Sequence, residues 1–327
     1  MRVVLLDKTC PKPYDTRTLA TEAMGGTEAT VVRVAEALAD RGHEVIVAQH
    51  NRRELGEGKA AYVPWEALDH IHHTPHAAIA LRDPRILADI KDRWSTRSVL
   101  WCHDLNQTDL VRASDLLKSA TVVAVSNFHA TQIKTALLSQ LPEVPSGCLL
   151  RTIYNPVDLE PDETPVLHRK LVFFSSPHKG LDHALYLFAR LRAVDPTYTL
   201  HVANPGYLRA SVEAWPDGVR DLGAMPWSGV IAHVRSALCV FHPNLVFPET
   251  FGLVHAEANA VGTPCLTSYL GANSEVLNPA SQQMLDVRNE KAVIDRILKW
   301  GEERPVVRGK PEFKIENVIK QWEEVLK

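Results

Sequence analysis

Short apolar runs alternate with segments of helical period along the whole chain. RVVLLD at 2–7 reads as a buried strand. A helix is expected after it. Thr27 stands as its N-cap, Glu28 in its first turn, and Val31, Ala35 and Leu38 at i, i+4 and i+7. Gly42 is placed to close that helix just past its C-cap. EVIVA at 44–48, AAIAL at 77–81, SVLWC at 98–102 and TVVAVS at 121–126 continue the series, each followed by a helical stretch. Strands alternating with helices predict βαβ units and a parallel sheet.

The pattern then restarts. LLRTIYNPVD closes the first series, and EPDETPVLHR at 160–169, with three acids and two prolines, reads as a linker. KLVFFS at 170–175, YTLHVA at 198–203, LCVFHP at 238–243, TPCLTS at 263–268 and QQMLD at 282–286 are the strands expected of a second series. The final segment places Phe313, Val318, Trp322 and Leu326 near helical spacing and reads as a closing helix. At about 150 residues per domain, 327 residues make two domains, in agreement with the two series. The expected fold class is α/β, with two Rossmann-like halves and a ligand cleft at the carboxyl ends of both sheets.

Composition narrows the function. With 45% hydrophobic and 23% charged residues the chain is globular rather than disordered. A net charge of -3 gives no basic field, so no nucleic-acid partner is expected. No apolar run approaches the ~18 residues of a membrane span. MRVVLLDKTCPKP lacks the pattern of a signal peptide. Cys10, Cys102, Cys148, Cys239 and Cys265 are odd in number and form no C-x-x-C pair, so a reduced, cytoplasmic chain is expected. His70, His72, His73 and His76 invite a metal reading, but Pro75 interrupts them and no acid or cysteine completes a set. The stretch with Arg85, Ile86, Ile90, Lys91, Arg93 and Trp94 has a basic and an apolar face. It suits either a weak peripheral contact at the inner membrane face or ordinary packing, the second being favoured.

Four places carry candidate chemistry. Gly25 and Gly26 open a helix, where glycines admit a ligand to the backbone and free N–H groups face an anion. They serve either a phosphate or only the turn. His103 follows SVLWC at a strand's carboxyl end and is either a cleft residue or a core histidine, while Asp104 reads as an N-cap of the next helix. Ser175, Ser176 and Lys179 join the first strand of the second half to its helix, and Lys179 offers a compact positive charge to a phosphate. Glu249 precedes a glycine-containing turn and Glu257 lies eight residues on, in a mostly apolar helix where a carboxylate needs a partner.

In order and spacing these features resemble the glycosyltransferases of the GT-B fold, and most nearly the retaining glycosyltransferase family 4. The resemblance rests on Gly25-Gly26, Arg41 to Val45, His103-Asp104, Val125 to Phe128, Tyr154 to Asp158, Lys179-Gly180, and Glu249 with Glu257. It continues through Ala258 to Pro264 and Gly271 to Glu275, and so spans nearly the whole chain. It implies an acceptor-side domain of residues 1–160, a donor domain of 161–311 and a closing helix of about 312–327 that returns to the first domain. Glu249 would contact hydroxyls of the donor sugar, Glu257 the nucleotide ribose, and Lys179 the diphosphate. Phe251, Gly252 and Leu253 would meet phosphate or sugar through the backbone. Gly25 and Gly26 would approach the diphosphate, His103 would lie beside the reacting sugar, and the backbone around Gly223 and Met225 would receive the base.

The implied activity is sugar transfer, with retention, from a nucleoside-diphosphate sugar to a glycan, lipid-linked or small-molecule acceptor, with no cofactor and no metal. A sugar-nucleotide epimerase, a phosphorylase and a non-catalytic sugar-nucleotide-binding module are the alternatives. The family usually has an arginine a few residues before this lysine, and Phe174 to Lys179 contains none. A protonated His178 would restore part of that charge.

Overall fold

The structure, a computed structural model, describes residues 1–204 and 214–327. The chain forms two compact units. The first comprises Met1–Thr18, Thr27–Pro156 and Lys314–Lys327, and the second Leu19–Gly26 and Val157–Phe313.

The first unit is built on a seven-stranded sheet. Its strands are β1 (Arg2–Asp7), β2 (Glu44–Gln49), β3 (Ala61–Pro64), β4 (Ala77–Leu81), β5 (Arg97–Trp101), β6 (Ala120–Ala124) and β7 (Leu149–Thr152). They lie in the order β3-β2-β1-β4-β5-β6-β7, every pair parallel. The order reverses between β1 and β4. Every residue of β4 and of β6 is buried, which is why their sequences run apolar without alternation. The helix Gly26–Asp40 buries Val31, Val34, Ala35 and Leu38. Thr27 lies inside it rather than at its N-cap, and Gly42 follows it at φ 82°, a left-handed residue that costs glycine nothing. In the helix Ile86–Arg93, Ile86, Leu87 and Ile90 are buried in the core, while Arg85 and Arg93 pair with Asp83 and Asp69. The apolar face considered for a membrane contact is therefore packed within the unit.

The last helix, Ile315–Leu326, belongs to the first unit. Trp322 is fully buried with its ring edge-on to Trp101, centroids 4.6 Å apart. Arg41 fastens the solvent side by a bidentate pair to Glu323 at 2.7 and 2.9 Å, and His43 adds a contact at 3.0 Å.

The second unit holds β8 (Leu167–Phe174), β9 (Thr199–Asn204), β10 (Val219–Ala224), β11 (Ala237–His242) and β12 (Cys265–Thr267). Among the described residues they form one parallel sheet, ordered β10-β9-β8-β11-β12, which reverses between β8 and β11. Phe173, Phe188, Phe241, Leu187 and Tyr198 fill one face of it. Two readings change here. The strand expected at 282–286 is the helix Ala280–Gln283 followed by a single bridge from Met284 to Thr267. The strands β3 and β10 have no counterpart in the apolar pattern, since β10 is VRDLGA with mostly exposed or half-buried positions.

Candidate functional site

In an open parallel sheet, ligands gather outside the carboxyl ends of the strands where the strand order reverses. In the second unit that place lies between β8 and β11. Lys179 comes from the turn after β8 and Glu249 from the loop after β11. The Lys179 ammonium lies 2.9 Å from both carboxylate oxygens of Glu249. The pair is mostly withdrawn from solvent, with side chains 22% and 10% exposed, and the Phe247 ring closes over the ammonium at 5.0 Å. Asn244 shapes this loop: its side-chain oxygen accepts from the amides of Val246 and Phe247, and its carbonyl accepts from the Ser268 hydroxyl.

Two glycines make the placement of Glu249 attainable. Gly252, at φ 91°, caps the helix Leu253–Ala260 without any side-chain hydrogen bond to its amides. At such a helix start the amides of Leu253 and Val254 have no acceptor within the helix itself. Gly271, at φ 64°, lies against the backbone of Glu249: a β-carbon there would come within 2.5 Å of both its nitrogen and its oxygen. Ala272 N–H donates to the Glu249 carbonyl at 3.0 Å. Glu257 is buried in the same helix, and Trp227 Nε1 donates to its carboxylate at 2.8 Å.

Beside this pair, His242 and His255 are fully buried with Nδ1 and Nε2 3.0 Å apart. Burial, with the nearby Lys179 charge, pushes both imidazoles down to about 3, so they are neutral at physiological pH. His178 is also held below its ordinary value, by burial and then by the adjacent Lys179 charge. That direction disfavours its protonated form, so the positive charge at this turn comes chiefly from Lys179.

The remaining residues that the resemblance assigns to donor binding fall in the same unit. Ser175 and Ser176 are buried at the end of β8, and the Ser176 carbonyl accepts from the Lys179 amide at 2.9 Å. Gly26 is set against Leu253, whose Cδ1 would lie 2.8 Å from a β-carbon at that glycine, and Gly25 precedes it in the same segment. Phe251 is buried against Phe313. Gly223 sits at φ 65° at a bulge in β10, and Met225 follows in the turn, near Gly229.

His103 belongs to the first unit, at the carboxyl end of β5. It is buried, its ring 4.9 Å from Trp101, and burial followed by the charge of Arg82 pushes it down to about 3. The imidazole is neutral. Asp104 is not the cap of the next helix, Thr108–Arg112, which begins after Gln107. It receives two parallel hydrogen bonds from Arg82, Nε at 2.8 Å and Nη2 at 2.7 Å. Arg82 follows β4 and had no signal in the sequence as a site residue, because its partner lies 22 residues on and is brought to it only by the sheet. Burial raises the neighbouring Glu28 carboxyl above its ordinary value, although Arg82 lies within 3.8 Å. Among the described residues, no group of three or more His, Cys, Asp or Glu side chains is arranged to hold a metal ion, and His76 is used by the Arg2 amide. No described helix is long and apolar enough to cross a membrane.

With this geometry in place, the likenesses to known proteins become informative. Residues 170–317 match the family described as Glycosyl transferases group 1, which takes in nearly all of the second unit. The chain is 24% identical to phosphatidyl-myo-inositol mannosyltransferase of Mycobacterium leprae, over 82% of this chain and 79% of that protein. Sucrose-phosphate synthase from Thermosynechococcus elongatus superposes with a TM-score of 0.68 at 16% identity, covering 99% of this chain and 96% of the other. The Anabaena protein HepE, solved in complex with UDP and glucose, gives 0.63 at 16% identity over 100% and 99%. The two parallel sheets with flanking helices are those of the GT-B fold.

Proposed function

We propose that this chain, a glycosyltransferase of the GT-B fold, moves a hexosyl group from a nucleoside-diphosphate sugar to an acceptor hydroxyl, with retention and without a metal ion. The observation that carries the reading is the Lys179–Glu249 pair at the strand-order reversal of the group 1 domain. A donor of this class presents a diphosphate and a ring of hydroxyls, and an ammonium beside a carboxylate matches both. The diphosphate would draw Lys179 away from Glu249, and the freed carboxylate would accept hydrogen bonds from the sugar hydroxyls. Glu257 would accept from the ribose, with Trp227 holding its other face.

Bond cleavage leaves negative charge on the departing nucleoside diphosphate. Lys179, once drawn to the diphosphate, and the amides at the start of the helix Leu253–Ala260 would stabilise that charge. Among the described residues no acid is assigned as a covalent nucleophile, so the reading favours attack on the same face as the leaving group, through an ion-pair-like state. His103, neutral and buried, would serve as a hydrogen-bonding group beside the reacting sugar rather than as a cation.

The test is to incubate the protein with UDP-, GDP- and ADP-sugars, with and without simple glycoside acceptors, and to follow the anomeric signals by NMR. Transfer with the donor's configuration kept supports the reading. Conversion of the donor with no acceptor present would point to an epimerase, and an inverted product would contradict retention.

A further inference from the structure

The order of the first sheet also reverses, between β1 and β4, and the residue that follows β4 is Arg82. Its backbone is left-handed, at φ 64°, a conformation that a side chain larger than glycine rarely adopts. Outliers of this kind persist where the surroundings hold them, and they collect at functional sites. The surroundings here are specific. The Arg82 amide donates to the Trp101 carbonyl at 2.9 Å, which ties it to the end of β5. Its guanidinium meets Asp104 through two parallel hydrogen bonds and lies 3.8 Å from Glu28.

Asp104 is also held from the other side. Its carbonyl accepts from Gln107 Nε2 at 2.5 Å and from His129 Nε2 at 3.0 Å, and the other ring nitrogen of His129 faces the Val125 amide at 3.4 Å. On the near side, the Cys102 amide donates to the Val123 carbonyl at 2.9 Å. His103 is thus the residue between two anchored neighbours, with Trp101 packed on its ring. We propose that Arg82 is a positioning residue: by fixing Asp104 it fixes the short span that carries His103, and its charge cancels that of Asp104 at the imidazole.

The electrostatic half of the proposal follows from the groups that face His103. Burial disfavours its charged form most, and Arg82 and His129 act in the same direction, whereas Asp104 favours it. Glu28 and Asp7 act on Arg82 from behind, and the Cys102 thiol is buried and protonated. The helix Ile315–Leu326 offers Trp322 to Trp101, while its Glu323 is taken up by Arg41 and His43. Removing Arg82 leaves the Asp104 carboxylate uncompensated beside the imidazole, so the His103 titration must move up.

The experiment is a pH titration of the full chain labelled with ¹³C-histidine, the His103 signal being assigned by its loss in His103→Gln. In the wild type His103 stays neutral across pH 5–9. In Arg82→Gln its midpoint rises by roughly one to three pH units. The double variant Arg82→Gln/Asp104→Asn returns it close to the wild-type position, because both charges are gone. Arg82→Gly tolerates the left-handed backbone and removes the side chain, so it gives a folded counterpart that must show the same rise. If both single variants are folded and His103 titrates as in the wild type, the proposal is overturned. The proposed function is tested separately by turnover: this part of the proposal rests on His103 acting beside the reacting sugar. A full rise in the His103 midpoint in Arg82→Gln, beside an unchanged kcat in His103→Gln, leaves the role of Arg82 intact and overturns that reading of His103.

Discussion

The Lys179–Glu249 pair makes a prediction whose sign runs against the usual expectation for removing a site residue. Glu249 holds the Lys179 ammonium at 2.9 Å with both oxygens. A nucleoside diphosphate must therefore compete with a carboxylate for the cation it needs. Exposed ion pairs contribute about 0–1 kcal/mol, and breaking a buried one costs about 3–5 kcal/mol. With side chains 22% and 10% exposed, this pair lies between those limits, and we take its contribution as about 1–2 kcal/mol. Glu249→Gln keeps the shape and removes the competitor, so free diphosphate should bind roughly 5- to 30-fold more tightly.

The same variant should lower kcat severely, because the contact to the sugar hydroxyls and the charge near the anomeric carbon are lost together. Glu257→Gln should behave in the opposite way. Its amide oxygen can still accept from Trp227 Nε1, so the helix is kept. A charged acceptor contributes about 1 kcal/mol or more beyond a neutral one, so donor and free diphosphate should weaken together by roughly tenfold. The assay is calorimetric titration of UDP, GDP and ADP into the wild type and each folded variant, beside turnover with the donor of the nucleotide that binds. If Glu249→Gln weakens the free diphosphate as much as Glu257→Gln does, the division of roles is wrong.

Three further outcomes follow from other parts of the molecule. Turnover should persist after exhaustive treatment with EDTA, since Lys179 and helix amides are offered for the diphosphate charge; loss on chelation with recovery on manganese would contradict this. Gly271→Ala should destabilise the chain by more than the about 1–2 kcal/mol of a left-handed alanine, because the new methyl would lie 2.5 Å from the Glu249 backbone; urea unfolding and donor turnover read both effects, and a variant as stable and active as the wild type would refute the packing argument. Hydrogen bonds from Arg41 and His43 hold the Glu323 carboxyl down to about 2, below the ~4.3 of an unfolded glutamate. The stabilisation is thus present above pH ~4.3 and is lost as pH falls toward 2. Glu323→Gln should flatten the thermal-stability profile in that window, and an unchanged acid limb would show the contact to be idle.

What the sequence reveals of this fold depends on how local each signal is. The central strands are legible because burial on both faces makes them continuous apolar runs: AAIAL is β4 to the residue. The edge strand β10 is not, because VRDLGA is solvated on much of its surface and resembles a loop. QQMLD misleads in the opposite direction, its apolar residues serving a short helix and one bridge. Among the site residues, Lys179, Glu249 and Glu257 could be singled out from position and from the apolar setting of Glu257. Their partners could not. Lys179 meets Glu249 across 70 residues, and Glu257 meets Trp227 across 30. Asp104 resembled a cap because caps are local, and its actual partner comes from the neighbouring strand.

The central claim is that the second unit binds a nucleoside-diphosphate sugar through Lys179 and Glu257. The direct measurement is the thermal shift of the full chain against UDP-, GDP-, ADP- and CMP-sugars, repeated on Lys179→Ala and Glu257→Gln. One diphosphate sugar should raise the melting temperature of the wild type, CMP-sugars, with a single phosphate, should raise it less or not at all, and both variants should lose most of the gain. A shift of equal size in the wild type and both variants, or no shift with any diphosphate sugar, would contradict the account.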